Sequence, residues 1–164
     1  MIISKTPYRL SIFGGGTDYP SWYSKNKSEI ITAAIDNHCY LSIKNLPPYF
    51  SYKYRIAYSR IEMVSDIDDI DHPSVRNCLK YLNIDEGLSI THDGEIPARS
   101  GVGSSSAFTV GLLNALFRIK GIQLNKKDLA QKAIYVEQFL NEESVGIQDQ
   151  IAAAYGGLNK ITAG

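Results

Sequence analysis

Between residues 97 and 107 the chain reads Pro-Ala-Arg-Ser-Gly-Val-Gly-Ser-Ser-Ser-Ala, and an apolar stripe at helical spacing begins where this run ends. Glycines let a backbone turn tightly with bare N–H groups exposed, and the start of a following helix adds partial positive charge. A loop of this composition entering a helix is an anion site of the kind that suits phosphate. The hydroxyls of Ser104, Ser105 and Ser106 have three uses there: capping the helix, binding phosphate oxygens or ligating Mg²⁺. No Gly-Lys-Ser/Thr closes the run, so it is not a P-loop, and the third glycine of the dinucleotide fingerprint is missing. An isolated Gly-x-Gly-Ser is more often a flexible loop with an ordinary serine cap, so the run needs support from elsewhere in the chain.

The segments before and after this run carry different patterns. Residues 9–13, 30–35, 39–43, 52–58 and 88–91 are short apolar, alternating or aromatic-rich runs that read as strands, and Pro47-Pro48 breaks between two of them. The acidic residues 66–71 lead to His72-Pro73, after which Val75, Leu79 and Leu82 recur at helical spacing. Residues 107–120 place Phe108, Leu112, Ala115, Leu116 and Ile119 on one helix face that stops at Gly121. Asn125 caps a second helix reaching about Asn141, with Leu129, Ala133, Val136 and Leu140 as its buried stripe. A third, residues 149–155, ends at Gly156-Gly157. Strands first and helices later point to an α+β domain, a mixed or antiparallel sheet layered with helices, and not to a doubly wound parallel sheet.

Neither repeats nor linkers divide the chain, so residues 1–164 read as one domain. Its 17 basic and 17 acidic side chains cancel, which leaves no basic face to bind nucleic acid by counterion release. Cys39 and Cys78 are too few for a disulfide framework and are expected to pack in the core. No apolar run approaches a membrane span and no signal-peptide pattern opens the chain, so a cytoplasmic location is expected. His38, His72 and His92 are too scattered to suggest a metal site. Tyr49, Tyr52, Tyr54 and Tyr58 read as alternating strand burial in preference to a base-stacking surface.

The glycine-serine run resembles the second signature of the GHMP kinases (galactokinase, homoserine kinase, mevalonate kinase and phosphomevalonate kinase), which reads Gly-Leu-Gly-Ser-Ser-Ala. Two further segments agree with it. Thr6-Pro7-Tyr8-Arg9 leads after four residues to Gly14-Gly15-Gly16-Thr17-Asp18-Tyr19, in register with a galactokinase signature that ends Gly-Glu-His-Thr-Asp-Tyr. Gly15 and Gly16 replace the Glu-His pair that helps define a hexose. The Gly-Gly-Gly-Thr-Asp turn is similar instead to that of bacterial D-glycero-D-manno-heptose 7-phosphate kinases and, more loosely, of fucose-kinase domains. The third segment, Glu137 followed by Gly146-Ile147-Gln148-Asp149-Gln150, matches the family's Gly-x-x-Asp-Gln turn preceded by a metal-binding Glu.

The resemblance implies an ATP- and Mg²⁺-dependent sugar kinase acting on an anomeric hydroxyl, with heptose 7-phosphate as the expected substrate. Galactokinase- or fucokinase-like activity, and a non-catalytic binding module of the same fold, are the alternatives. Gly101, Val102, Gly103, Ser104, Ser105 and Ser106 would hold the ATP phosphates, and Ser105 and Glu137 the Mg²⁺. Asp149 would take the hydroxyl proton while Arg9 pairs with it, and Gly14, Gly15, Gly16, Thr17 and Asp18 would orient the sugar. Glu137, next to Val136 and Leu140 but on the polar side of its helix, is expected to face a cleft. The partners are then ATP and a small sugar phosphate, with a homodimer allowed and neither nucleic acid nor membrane expected. The resemblance covers only the N-terminal, ATP-binding half of such enzymes, without their C-terminal domain. The chain alone is therefore expected to carry most catalytic side chains and to turn over weakly or not at all.

Overall fold

Alternation decides the first layer: in the opening strand Ser4, Thr6 and Tyr8 are buried, while the alternate residues Ile3 and Lys5 are exposed. The computed structural model describes residues 1–164 and runs β1 Ile2–Phe13, α1 Pro20–Tyr23, β2 Ser28–Asn45, β3 Tyr54–Ala57, β4 Ile61–Val64, α2 Pro73–Tyr81, β5 Leu88–Gly94 and α3 Ser104–Ile119. It continues through α4 Lys126–Tyr135, a π-helical turn Val136–Leu140, α5 Gln148–Tyr155 and β6 Leu158–Ala163. The strands form one sheet in the order β1-β2-β5-β3-β4, with β6 beside the first part of β2. Every pairing is antiparallel except β3 with β5, which makes the architecture the expected α+β layering.

The sequence suggests two strands where the structure has the single 18-residue β2. Its first part, from Ser28 to Ala33, pairs with β6, and its second, from Cys39 to Asn45, with β5. Asp36 and Asn37, which look like a breaker, lie where the register with β1 slips between Pro7 and Arg9. A bulge absorbs them without ending the strand. β4 and α1 are additions that sequence patterns did not announce, each only 4 residues long. Tyr49 is exposed, whereas Tyr54 is fully buried.

The helices cover one face of the sheet. Leu41, Ile43, Ile56, Leu88 and Ile90 from the strands meet Val75 and Leu79 of α2 and Leu112, Leu113 and Leu116 of α3 in a continuous core. Cys39 and Cys78 are both buried there as free thiols. α4 starts as expected, with the Asn125 side chain accepting from the Asp128 N–H at 2.8 Å. No helix is long and apolar enough to cross a membrane.

Candidate active site at the glycine loop

α3 begins three residues earlier than the apolar stripe suggests, at Ser104, and Gly103 occupies the N-cap position. Gly103 has φ +73°, and no side chain caps the helix. The three serines therefore form the first turn and do not act as its cap. First-turn N–H groups have no intrahelical acceptor. With no side-chain oxygen supplied, they remain available to an anion along the helix axis.

Arg9 ties this loop to the rest of the site. Its backbone N–H donates to the Val102 carbonyl at 3.0 Å, and its Nη1 donates to the Gly101 carbonyl at 2.6 Å. The other edge of the guanidinium grips Asp149, with Nε to Oδ1 at 2.7 Å and Nη2 to Oδ2 at 2.9 Å. Two parallel charge-assisted bonds fix both distance and plane, which a lysine could not do. A Cβ at Gly103 would lie 3.2 Å from the Asp149 carboxylate and 3.3 Å from Arg9 Cγ, so the loop packs directly on the pair. Asp149 lies in the first turn of α5, and its side chain keeps 25% of its surface exposed, enough to meet a ligand.

Asp18 is placed differently from expectation. It is only 2% exposed, and its two oxygens accept from the backbone N–H groups of Gly16 and Gln148, each at 3.2 Å. Its carboxylate is thus engaged by backbone inside the protein. Thr17 donates to the Gly14 carbonyl at 2.8 Å and also bonds Ser28, closing the turn, while Gly15 and Gly16 remain exposed. Gly14 packs against the backbone of Glu29 in β2.

Glu137 also departs from expectation, being fully buried. Leu129, Ala133 and Glu137 are spaced at i, i+4 and i+8, which continues the buried stripe. The charge of the residue suggests the polar side, and the spacing was the signal that pointed inward. Its Oε2 accepts from Ser106 Oγ at 2.8 Å and from Gln150 Nε2, whereas Oε1 has no partner. Burial pushes the carboxyl up to about 7, and the side chains of Gln150, Ser106 and Thr109 act against that shift. Ser106 is thus spent on Glu137, and Ser105 is exposed. A buried carboxylate with one unpartnered oxygen has the donor chemistry a hard divalent cation requires.

A cleft of about 630 Å³ opens beside the helix start. Ser104 and Ser105 line it, together with Tyr58, Arg60, His72, His92, Phe108 and Arg99. His72 stacks on Phe108 with centroids 4.5 Å apart, and His92 meets the same ring edge-on at 5.4 Å. The structure thus joins two histidines that look unrelated along the chain. Burial pushes His72 down to about 4 and lowers His92 as well. Arg99 sits in the left-handed region at φ +65°, a conformation that costs energy for a non-glycine residue.

Residues 73–157 match the model of the GHMP kinases N terminal domain, and the chain belongs to that family. Along 96% of its length it is 29% identical to the D-glycero-alpha-D-manno-heptose 7-phosphate kinase of Campylobacter jejuni, and it covers 49% of that protein. It is 23% identical, over 96% of its length, to the L-fucokinase/L-fucose-1-P guanylyltransferase of Bacteroides fragilis, covering 19% of that protein. The crystal structure of a D-glycero-D-manno-heptose 1-phosphate kinase from Bacteroides thetaiotaomicron superposes with a TM-score of 0.86 at 26% identity, over 99% of this chain and 56% of that one. The chain thus spans about half the length of the Campylobacter relative.

Proposed function

We propose that residues 1–164 form the ATP-binding domain of a two-domain sugar kinase that phosphorylates the anomeric hydroxyl of D-glycero-D-manno-heptose 7-phosphate, giving the 1,7-bisphosphate. The Arg9–Asp149 fork packed on Gly103 of the loop carries this reading, because it sets a carboxylate base against a phosphate-binding helix start. Matches over nearly the whole chain to heptose-phosphate kinases support the substrate.

Phosphoryl transfer asks for placement and charge stabilisation more than covalent chemistry. Backbone N–H groups from Gly101 to Ser106 hold the triphosphate, and the cleft lined by Tyr58, His72 and Phe108 receives the base. Asp149 accepts the proton of the sugar hydroxyl, and Arg9 keeps its carboxylate in plane and polarises the acceptor. The exposed backbone of Gly15 and Gly16 borders the sugar. Ser105 and Glu137 would hold Mg²⁺, which would supply charge neutralisation to the triphosphate.

ADP release over a panel of sugars and sugar phosphates tests the proposal, with binding of each compound measured by calorimetry where turnover is slow. The heptose 7-phosphate should give the largest response. A response to fucose or galactose with none to heptose 7-phosphate would overturn the substrate, and no nucleotide binding at all would overturn the kinase reading.

A further inference from the structure

Three helical segments converge on one oxygen of Glu137. Ser106 reaches it from the first turn of α3 and Gln150 from the first turn of α5, while Glu137 itself lies in the π-helical turn. Both donors end on Oε2, the nearby Thr109 hydroxyl bonds the Ser105 carbonyl at 3.2 Å, and Oε1 receives none. Leaving a buried acceptor unpaired costs about 1–3 kcal/mol, more for a charged group. A carboxylate serving only to hold the helices together would be expected to use both oxygens, and here one is left over.

The chemistry of the two donors matters as much as their number. A lysine or arginine at either position would cancel the carboxylate's charge and repel a second cation. A serine hydroxyl and a glutamine amide orient the group and leave its charge intact. Gln150 is fully buried, and its own Oε1 is also without a donor, so another acceptor accompanies the free carboxylate oxygen in the interior. The side chain's only bond is the one to Glu137.

We propose that Ser106 and Gln150 are positioning residues that lock Glu137 through Oε2 so that Oε1 is presented to a divalent cation. This rests on the assignment of Glu137 to the metal made above. It also separates the roles of adjacent serines: Ser106 orients the carboxylate, and the exposed Ser105 is the one free to meet a ligand.

The test compares Ser106→Ala and Gln150→Met with the unaltered chain, reading Mn²⁺ affinity of the ATP-bound protein by EPR and affinity for metal-free ATP by calorimetry. Loss of such an outer partner typically weakens metal binding about 10–100-fold, so Mn²⁺ affinity should fall by that factor while metal-free ATP binding stays within about twofold. A role confined to helix packing would move both readouts together and would overturn the inference. So would wild-type Mn²⁺ affinity in both variants. Thermal melting verifies folding, and if Gln150→Met fails to fold, the smaller Ser106→Ala decides alone. An unaltered chain that binds ATP but shows no Mn²⁺ affinity overturns the metal assignment of Glu137 itself, and the positioning role with it.

Discussion

Asp18 caps the helix that carries Asp149: its Oδ2 accepts from the backbone N–H of Gln148 at 3.2 Å, across 130 residues of sequence. Ile147, the N-cap by position, offers no side-chain oxygen. The Asp18 carbonyl also accepts from Ile147 N–H at 3.2 Å, so the glycine turn after β1 and the start of α5 are held as one piece. Their junction is close enough to dictate a residue, since a Cβ on Gly146 would lie 1.7 Å from Asp18 Oδ2.

Gly146→Ala should therefore displace Asp18 and unseat Asp149 together. Asp18→Ala should destabilise the fold by at least the ~0.5–2 kcal/mol typical of a lost N-cap. Urea denaturation measures both. If Asp18→Ala lost sugar affinity with unchanged stability, the sugar-contact role would be restored.

Asp149→Asn keeps the shape of the side chain and removes its basicity. General-base catalysis is worth roughly 10²–10⁴ in rate, so ADP release should fall by at least the lower figure while ATP affinity holds. Wild-type turnover in this variant would refute the base assignment.

Arg9→Lys retains a positive charge but cannot reproduce the fork to Asp149 together with the bond to the Gly101 carbonyl. Turnover should drop at least about tenfold, the equivalent of about 1.4 kcal/mol. Crystallography of the variant should show the glycine loop shifted from Asp149.

Stability should fall in mild acid because of His72. Its imidazole is stacked on Phe108, its Nδ1 has no hydrogen-bond partner, and burial holds it at about 4 against an ordinary value of 6.5. Glu62 favours the protonated form, while His92 and Arg60 oppose it. The unfolded chain takes up this proton near pH 6.5 and the folded chain only near 4, so acid favours unfolding. The contribution is complete above pH 6.5 and is lost as the pH falls towards 4, on the order of 3–4 kcal/mol at about 1.4 kcal/mol per unit. His72→Phe should flatten that part of the urea-midpoint profile, and an identical slope in both proteins would rule out His72 as its source.

Local chemistry made much of the architecture legible. The apolar faces of α3 and α4 and the Asn125 cap follow from spacing within a turn or two, where neighbours are neighbours in sequence. The continuity of β2 was less visible, because pairing with β1 carries the strand through Asp36 and Asn37 despite their preference for turns. The start of α3 is also hidden from the apolar pattern, since a helix can open on serines before its apolar stripe begins.

The sequence by itself determined which residue types were available: a glycine loop entering a helix, Arg9 after Pro7, and an aspartate at the start of α5. Tertiary structure alone decided which of them stay at the surface and which are drawn inside onto partners of the fold. Asp18 and Glu137 both read as exposed carboxylates, and both are buried on partners far away in sequence, Gln148 for one and Ser106 for the other. A carboxylate's role depends on its access to water and on what already occupies its lone pairs. Both are properties of packing between distant segments, which residue order does not specify.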